Sequence, residues 1–190
     1  MPSRERLRRT FYRRRTLHVA RDLLGRVLCR RVGRGEVLRA RIVEVEAYDG
    51  PADRASHAHR GRTPRNSPMF EPGGIAYVYL IYGVHHCLNV VTGGRDYPAA
   101  VLLRATEPPA EGLVASGPGR LCRAFRIGRD ENGGSLLGRH VWLEEGRPVS
   151  DRLVKRTPRI GVHYAGDWAG RPYRFVIRDH NAASGPRRLR

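Results

Sequence analysis

Residues 37–48, VLRARIVEVEAY, form the segment that most limits the folds open to this chain. Its β-branched and other apolar residues predict a long β-strand. Side chains two residues apart lie on the same face of a strand. One face therefore begins apolar and ends in Glu44, Glu46 and Tyr48, while the other begins with two arginines and ends apolar. This pattern predicts a strand that runs along the core and then borders a polar pocket.

Glu44 and Glu46 are the unusual feature of this strand, because like charges on one face repel each other. Burying such carboxylates costs free energy unless each has a partner. One explanation is pairing with arginines such as Arg39 or Arg41. The other is catalytic, since a carboxylate at the rim of an aromatic pocket can hold and deprotonate a water molecule. The residues alone leave both explanations open for each glutamate.

The segments around this strand predict a sheet. Segment 26–32 leads through a hairpin turn at 33–36 into the long strand. Further strands are predicted at 75–83, 84–92 and 98–108, and shorter ones near 140–143, 159–163 and 173–178. We therefore predict an α+β fold, a single compact domain with a curved, mostly antiparallel sheet flanked by short helices.

Two short helices and one long loop complete this picture. Thr16 is predicted to cap a helix over 16–24 that Gly25 ends, and Ser116 to cap a helix over 116–125. Residues 49–74 form a loop rich in Gly, Pro, Arg and His. A loop of this length inside a compact domain usually carries function.

The charge of the chain indicates its class of partner. The formal net charge is +18, from 36 basic and 18 acidic residues, and such an excess favours nucleic acid or another polyanion. Lys155 is the only lysine, and a GC-rich genome would explain many arginines but not so few acidic residues. We predict a basic N-terminal arm over 1–15, a single domain over 16–180 and a basic tail over 181–190.

Cysteine use and hydropathy indicate the compartment. Cys29, Cys87 and Cys122 lie far apart and form no CxxC pair, as is typical of buried thiols in a reducing environment. No apolar stretch approaches the length of a membrane span. Residues 1–9 lack the apolar core of a secretory signal. We expect a cytoplasmic, nucleoid-associated protein of a bacterium, with no membrane partner.

Tyrosines are concentrated in segment 75–83, IAYVYLIYG. Tyr77 and Tyr79 share one face of the predicted strand, where half-buried packing is the ordinary role of such residues. Tyr82 falls at the turn to the next strand, where its own domain offers little to pack against. In a basic protein, an aromatic side chain at a hairpin tip can act as a wedge between base pairs.

No set of residues predicts a metal or a cofactor. The clusters HAH at 57–59 and HHC at 85–87 contain ligand atoms, but no HExxH, CxxC or acidic cluster completes a coordination shell. Glycine motifs that bind nucleotides are also missing from the sequence. We therefore expect neither a metal nor a cofactor.

Several long strings resemble those of one enzyme family. They are RIVEVEAYDGPADRASHAHRGRTPRNSPMF, YVYLIYGVHHCLNVVT, AAVLLRATEP, SGPGRLCRAF and PRIGVHYAGDWAGRPYRF. In this order, from about residue 16 to residue 178, they are similar to the alkyladenine (3-methyladenine) DNA glycosylase family. The strings ExEAY, TPRNxxMF and YVYxIYG are long and specific.

The resemblance implies roles around a base that has been flipped out of DNA. Glu46 corresponds to the general base that positions the attacking water. Tyr48 and His57 correspond to residues that pack against one face of the base, and Tyr79 to the residue that stacks on the other.

The resemblance also implies residues that open and recognise the duplex. Tyr82 corresponds to the wedge that fills the hole left in the DNA. Asn89 corresponds to the asparagine that crowds the amino group of guanine, and Arg104 to an arginine near the water and the sugar-phosphate. His85 and His86 stand where relatives have bulky apolar or aromatic residues, so no contact is carried over to them.

These roles imply a monomeric, monofunctional DNA glycosylase of base excision repair that acts on damaged double-stranded DNA. It would flip alkylated or deaminated purines out and hydrolyse the N-glycosidic bond with inversion, using an activated water. Lyase activity is not expected, because Lys155 and the N-terminus are the only amines available as nucleophiles. The alternatives are a non-catalytic basic nucleic-acid-binding protein and a metal-dependent nuclease that uses His57, His59 and the glutamates.

Overall fold

A computed structural model describes residues 5–33 and 35–185. Residues 1–4 of the predicted arm, residues 186–190 of the predicted tail and Arg34 of the predicted hairpin turn lie outside the described residues.

Eight strands and three short α-helices are present in this part of the chain. The strands are β1 (Val27–Val32), β2 (Glu36–Asp49), β3 (Ala76–Ile81), β4 (His85–Val91), β5 (Ala99–Thr106), β6 (Val141–Glu144), β7 (Val154–Thr157) and β8 (Arg174–Ile177). The α-helices are α1 (Arg9–Tyr12), α2 (Thr16–Leu23) and α3 (Pro118–Ala124), and 3-10 helices occupy Ser67–Phe70, Arg129–Glu131, Asp151–Leu153 and His163–Trp168. The predicted α+β class is confirmed.

The strand pairs are antiparallel, and β2 lies at the centre of the sheet. The strand order is β3-β4-β5-β2-β1-β6, and β7 joins through β8, which pairs with β2. β1 pairs with the first half of β2, whereas β5 and β8 flank its second half. The register between β2 and β5 shifts between Ile42 and Val45, and such a bulge bends a strand. The sheet is curved, as the sequence predicts.

The second half of β2 is buried on both faces. Residues 42–47 have no exposed surface, and this includes both glutamates. Helix α2 packs against β2 and β5 and buries Val19, Ala20 and Leu23. The predicted alternation is therefore correct for side-chain direction, but the carboxylates lie inside the domain and not at its surface.

The N-terminal segment from residue 5 to residue 15 is folded against the sheet. Leu7 and Tyr12 are buried among the core side chains, and the Leu7 N–H donates to the Leu143 carbonyl. Tyr12 also covers the backbone at Gly73, where an added Cβ would lie 2.5 Å from the Tyr12 carbonyl oxygen. The described part of the predicted arm is thus integral to the domain, because its two apolar side chains have places in the core.

The two predicted N-caps are wrong by one position. Helix α2 begins at Thr16 itself, after Arg15, and the Thr16 hydroxyl accepts a hydrogen bond from Thr92. Helix α3 begins after Gly117, whose φ of 113° suits only glycine, and the Ser116 hydroxyl donates to the Ala183 carbonyl. In both cases a tertiary hydrogen bond occupies the side chain that was expected to cap the helix.

The strand predicted near 159–163 is also wrong. Strand β7 ends at Thr157, Pro158 follows it, and Gly161 adopts a φ of +77° that breaks an extended run. A 3-10 helix, His163–Trp168, begins two residues later. The segment between them forms a wall of the cavity described below.

No helix in the described part of the chain is long and apolar enough to cross a bilayer. The longest α-helix, α2, has eight residues, whereas a membrane span needs about 20.

Substitution of Gly25 tests how closely the chain packs behind β2. Its φ is +87°, and an added Cβ would lie 2.2 Å from the Arg147 carbonyl oxygen. Gly61 has a similar φ of +92° but has open space around it. We expect Gly25→Ala to lower the free energy of unfolding by more than about 2 kcal/mol and Gly61→Ala by about 1 kcal/mol, measured by urea denaturation. Equal losses would contradict the packing at Gly25.

Candidate active site

A cavity of about 640 Å³ opens between the β2–β5 region of the sheet, the 49–74 loop and the segment after β7. Aromatic rings dominate its walls, and its volume is in the range of small-molecule sites. The aromatic and histidine side chains that line it are Tyr48, His57, Tyr77, Tyr79, Tyr82, His85 and Tyr164. Polar groups are few, so a flat ring would be held mainly by stacking.

Glu46 lies directly behind this wall, without exposed surface. Its Oε1 accepts the Ile160 N–H at 2.7 Å, and its Oε2 accepts the Tyr48 hydroxyl at 3.1 Å. Oε2 is also 3.2 Å from Nη1 of Arg104. A carboxylate has about four acceptor positions. These three neighbours, all of them residues that line the cavity, occupy three of the four positions. Because Glu46 has no exposed surface, a water molecule can reach the fourth position only when the cavity wall moves.

Glu44 has a different environment, although it is two residues away. Its Oε1 accepts from Nε of Arg104 at 2.9 Å, from Nε of Arg174 at 2.7 Å and from the Ser184 hydroxyl at 2.9 Å. Its Oε2 accepts the Ser184 N–H at 2.5 Å. Glu44 is therefore saturated with donors, which indicates a structural role.

The arginine partners of these glutamates differ from the expected ones. Arg39 lies 3.5 Å from Glu144, and Arg41 lies 3.7 Å from Glu107. Pairing with an arginine is thus correct as an explanation for Glu44, but Arg39 and Arg41 are wrong as its partners. The actual partners lie on strands that are distant in sequence and adjacent in the sheet.

Arg104 links the two carboxylates, because it contacts Glu44 through Nε and Glu46 through Nη1. Burial alone would lower the pKa of Arg104, but the Glu46 and Glu44 carboxylates raise it above its ordinary value. The guanidinium therefore stays charged. Together with Arg174 it balances two buried negative charges, which would otherwise be very costly to bury.

Tyr48 supplies both a cavity wall and a donor to Glu46. Burial, followed by the negative charge of Glu46, raises the pKa of Tyr48 well above its ordinary value. Its hydroxyl therefore keeps its proton and donates it in a hydrogen bond to the carboxylate. The strand geometry explains the pair, since residues 46 and 48 share one face of β2.

His57, Tyr77 and Tyr79 form an aromatic cluster in another part of the cavity wall. Nδ1 of His57 lies 3.0 Å from the Tyr77 hydroxyl, and burial raises the pKa of Tyr77 to about 12. Burial and then the charge of Arg65 lower the pKa of His57, which favours the neutral imidazole. The imidazole therefore adds no positive charge to this wall, and the cation beside it is Arg65, whose guanidinium carbon lies 5.7 Å from the centroid of the Tyr79 ring.

The His57 and Tyr79 rings touch each other in this structure. Their centroids are 4.5 Å apart and their planes are inclined by 74°. A base stacked between two rings needs roughly 7 Å between them, twice a van der Waals contact. The expected arrangement, with the two residues on opposite faces of a base, thus requires the rings to separate first.

Tyr82 lies at the tip of the β3–β4 hairpin, beside the mouth of the cavity. It is 88% exposed and has a φ of 52°, next to Gly83 with a φ of 71°, as in a tight two-residue turn. Leu80 and Val84 beside it are also exposed. The hairpin therefore presents an apolar tip to solvent, where nothing in its own domain covers it.

Asn89 is held in a fixed orientation in the cavity wall. It is buried, and its Nδ2 donates to the Tyr77 carbonyl at 3.0 Å. Because Nδ2 is anchored in this way, Oδ1 is the atom left to meet a ligand. Asn89 and Arg104 line the same cavity as Tyr48, His57 and Tyr79, and Glu46 lies just behind it.

Three elements of the site escaped the sequence analysis. Tyr164 is 64% exposed at the mouth, and its hydroxyl donates to the Ala55 carbonyl at 3.3 Å. The Ile160 N–H reaches Glu46, and Arg159 packs behind Tyr48. All three belong to an irregular segment, where no periodicity marks which residues point inward.

Metal-binding clusters of three or more His, Cys, Asp or Glu are not found among the described residues. Nδ1 of His59 lies 3.1 Å from the Pro51 carbonyl oxygen, outside the cavity. His57 contacts Tyr77 and Tyr79 instead of another ligand-type residue.

A base-sized cavity with aromatic walls, backed by a buried carboxylate, is typical of an enzyme that binds a flat ring and activates water. Comparison with known proteins agrees with this class. The methylpurine-DNA glycosylase family model matches residues 10–181. The chain therefore belongs to the methylpurine-DNA glycosylase family, which makes it a DNA glycosylase of base excision repair.

Similar relatives include three proteins that share the name "Putative 3-methyladenine DNA glycosylase". That of Anaeromyxobacter sp. strain Fw109-5 is 55% identical over 90% of this chain and 88% of its own length. That of Myxococcus xanthus is 50% identical over 93% of each chain. That of Methanocella arvoryzae is 49% identical over 94% of this chain and 95% of its own.

The ion pairs of Glu44 predict a large effect on stability. Glu44→Gln would leave Arg104 and Arg174 with too little negative charge inside the protein. We expect the free energy of unfolding to fall by about 3–5 kcal/mol. Glu107→Gln, which affects a half-exposed pair, is the control and should cost less than about 1 kcal/mol. Equal and small losses in urea denaturation would show that the buried pairs do not support the fold.

Proposed function

We propose that the protein flips alkylated or deaminated purines out of duplex DNA and hydrolyses their N-glycosidic bond with a water activated by Glu46. The observation that carries this proposal is the environment of Glu46. The Ile160 N–H, the Tyr48 hydroxyl and Arg104 hold the carboxylate directly behind an aromatic cavity and occupy three of its four acceptor positions. The fourth would take the water once binding of the flipped base moves the wall that covers Glu46.

Recognition of the base would rest on stacking. Tyr48 lies on one wall, and Tyr79 would take the other face of the base after its ring turns away from His57. Aromatic faces attract positive charge, and a neutral His57 does not oppose it. Purines alkylated at N3 or N7 are cationic, so these walls favour them over undamaged bases.

Capture of the lesion would rest on the exposed hairpin tip and on basic side chains. Tyr82 projects where a wedge would replace the flipped base, and the net charge of +18 supplies attraction to phosphates. Arg120 and Arg123 line the mouth of the same cavity. Such a protein would act as a monomer on the DNA of the nucleoid, since a single chain builds the whole cavity.

The chemistry is one displacement at C1′ of the sugar. The bond between C1′ and the base nitrogen breaks, and its electron pair neutralises the positive charge of an alkylated base. A neutral deaminated base leaves with the same pair as an anion, which takes up a proton from solvent. The water oxygen bonds to C1′ from the opposite face while Glu46 takes its proton, which inverts the configuration.

A lyase step has little support in this site. It needs an amine close to C1′, and the only lysine, Lys155, lies on β7 and does not line the cavity. We therefore propose a monofunctional enzyme that releases the base and leaves the DNA backbone intact.

Glu46→Gln tests the catalytic proposal. With duplexes that each carry one defined lesion, namely 3-methyladenine, 7-methylguanine, hypoxanthine or ethenoadenine, we expect single-turnover base release to fall by at least about 10³-fold, because the amide cannot accept the proton. Binding to the same duplexes should stay within a few-fold. Wild-type excision of none of these lesions would favour a non-catalytic DNA-binding protein. Retained excision by the variant would remove Glu46 from its proposed role.

Tyr82→Ser tests the wedge. Loss of one stacked ring should weaken binding to a lesion-containing duplex by roughly 10–100-fold, while affinity for undamaged duplex changes little. Tyr82→Phe is the matched control, because it keeps the ring and should bind like the wild type. An unchanged preference of the Ser variant for damaged duplex, in a titration by fluorescence anisotropy, would exclude the wedge.

A further inference from the structure

Arg159 is a buried cation close to the site that does not line the cavity. Its side chain has no exposed surface, and it forms two hydrogen bonds with Asp53, from Nη1 to Oδ2 at 2.5 Å and from Nη2 to Oδ1 at 2.9 Å. Burial alone would lower the pKa of Arg159, but the hydrogen bond and charge of Asp53 raise it above its ordinary value. Arg159 therefore stays charged, and the two hydrogen bonds hold the pair in one geometry.

The same guanidinium contacts the strand that carries the catalytic glutamate. Nη1 donates to the Ala47 carbonyl at 2.8 Å, between Glu46 and Tyr48 in sequence. The guanidinium carbon lies 4.7 Å from the centroid of the Tyr48 ring, within the range of a cation–π contact. Since Tyr48 lines the cavity and Arg159 does not, Arg159 supports the ring from behind.

The backbone after Arg159 delivers a donor to the catalytic carboxylate. The next residue, Ile160, donates its N–H to Oε1 of Glu46 at 2.7 Å. Because Arg159 is fastened by its side chain to Ala47 and Asp53, the adjacent amide has little freedom to move. The position of this N–H relative to Glu46 therefore depends on the Arg159 side chain.

Asp53 extends the connection to the loop that carries His57. Its Oδ2 accepts the Asp49 N–H and its Oδ1 accepts the Ala55 N–H, both at 3.1 Å. Nη2 of Arg159 also donates to the Trp168 carbonyl at 3.3 Å. One guanidinium thus joins β2, the 49–74 loop and the segment after β7, which together surround the base-sized cavity.

We infer that Arg159, held by Asp53, is a positioning residue that sets the distance between the Glu46 carboxylate, the Tyr48 ring and the flipped base. It touches neither base nor water, and this role rests on the proposed function of Glu46. Arginine suits the position because its planar group donates to several acceptors and stacks on a ring at once. Lysine keeps the charge but provides neither the paired hydrogen bonds nor the stacking.

Arg159→Lys is the test, with Arg30→Lys as the matched control. Arg30 forms a less deeply buried pair with Glu131 at 2.5 Å, on β1 opposite Leu38 in the first half of β2, and like Arg159 it does not line the cavity. Three quantities are measured on a duplex with one hypoxanthine: the maximal single-turnover rate, the enzyme concentration that gives half of it, and the pH dependence of the rate. Thermal unfolding of each variant reports its stability.

We expect Arg159→Lys to lower the maximal rate by about 10–100-fold, because a misplaced catalytic group loses rate steeply. The half-saturating concentration should change less than about threefold. The acid limb of the pH–rate profile should move to higher pH, because a carboxylate that loses an N–H donor keeps its proton to higher pH. Arg30→Lys should keep the wild-type rate and profile, even where its thermal stability falls as much.

A wild-type rate and an unmoved acid limb in Arg159→Lys would overturn the inference. The inference would also fail if Arg30→Lys lost as much rate as Arg159→Lys at the same loss of thermal stability. Equal losses would show that the rate responds to a general structural effect. If Arg159→Lys does not fold, Asp53→Asn replaces it and should show the same changes in smaller measure. Failure of the proposed function is distinguishable, because Glu46→Gln would then keep its activity whatever Arg159 does.

Discussion

A buried cluster of ion pairs on β2 is the interaction on which the site and the sheet around it depend. Glu44 and Glu46 lie in the fully buried stretch 42–47 of β2, and Arg104 and Arg174 from the neighbouring strands balance their charge. Such a cluster is stable only when every member has its partner. The two glutamates therefore differ in role: Glu44 receives the four donors that fix the cluster, whereas Glu46 receives its donors from three residues that line the cavity.

Local pattern predicts much of this structure. The alternation in 37–48 predicts β2, and the tyrosine-rich segment with its turn predicts the β3–β4 hairpin and the exposed position of Tyr82. The family strings predict seven side chains that meet around a base. Six of them line one cavity in the structure, namely Tyr48, His57, Tyr79, Tyr82, Asn89 and Arg104, and the seventh, Glu46, lies behind its wall. Their roles in recognition and catalysis remain proposals. These successes concern regular strands and long, specific strings.

Partners that come from distant or irregular segments were not predictable. Glu44 is held by residues 60 to 140 positions away, so the nearer arginines were the natural but wrong candidates. Thr16 and Ser116 miss their caps because tertiary hydrogen bonds occupy their hydroxyls. Ile160 contributes through its backbone N–H. Every residue except proline carries this group, so the residue type at position 160 does not reveal the contact. The N-terminal segment looked like an arm because its arginines hide two core residues, Leu7 and Tyr12.

The central claim is a single displacement in which Glu46 directs one water to the face of the sugar opposite the base. The configuration at C1′ tests it most directly, with methanol in place of water as the acceptor so that the product is a stable methyl glycoside. A natural β-nucleotide carrying an alkylated purine should then give the α-glycoside, the inverted product. The β-glycoside would reveal a covalent intermediate and hence a nucleophile on the protein, and it would contradict the account.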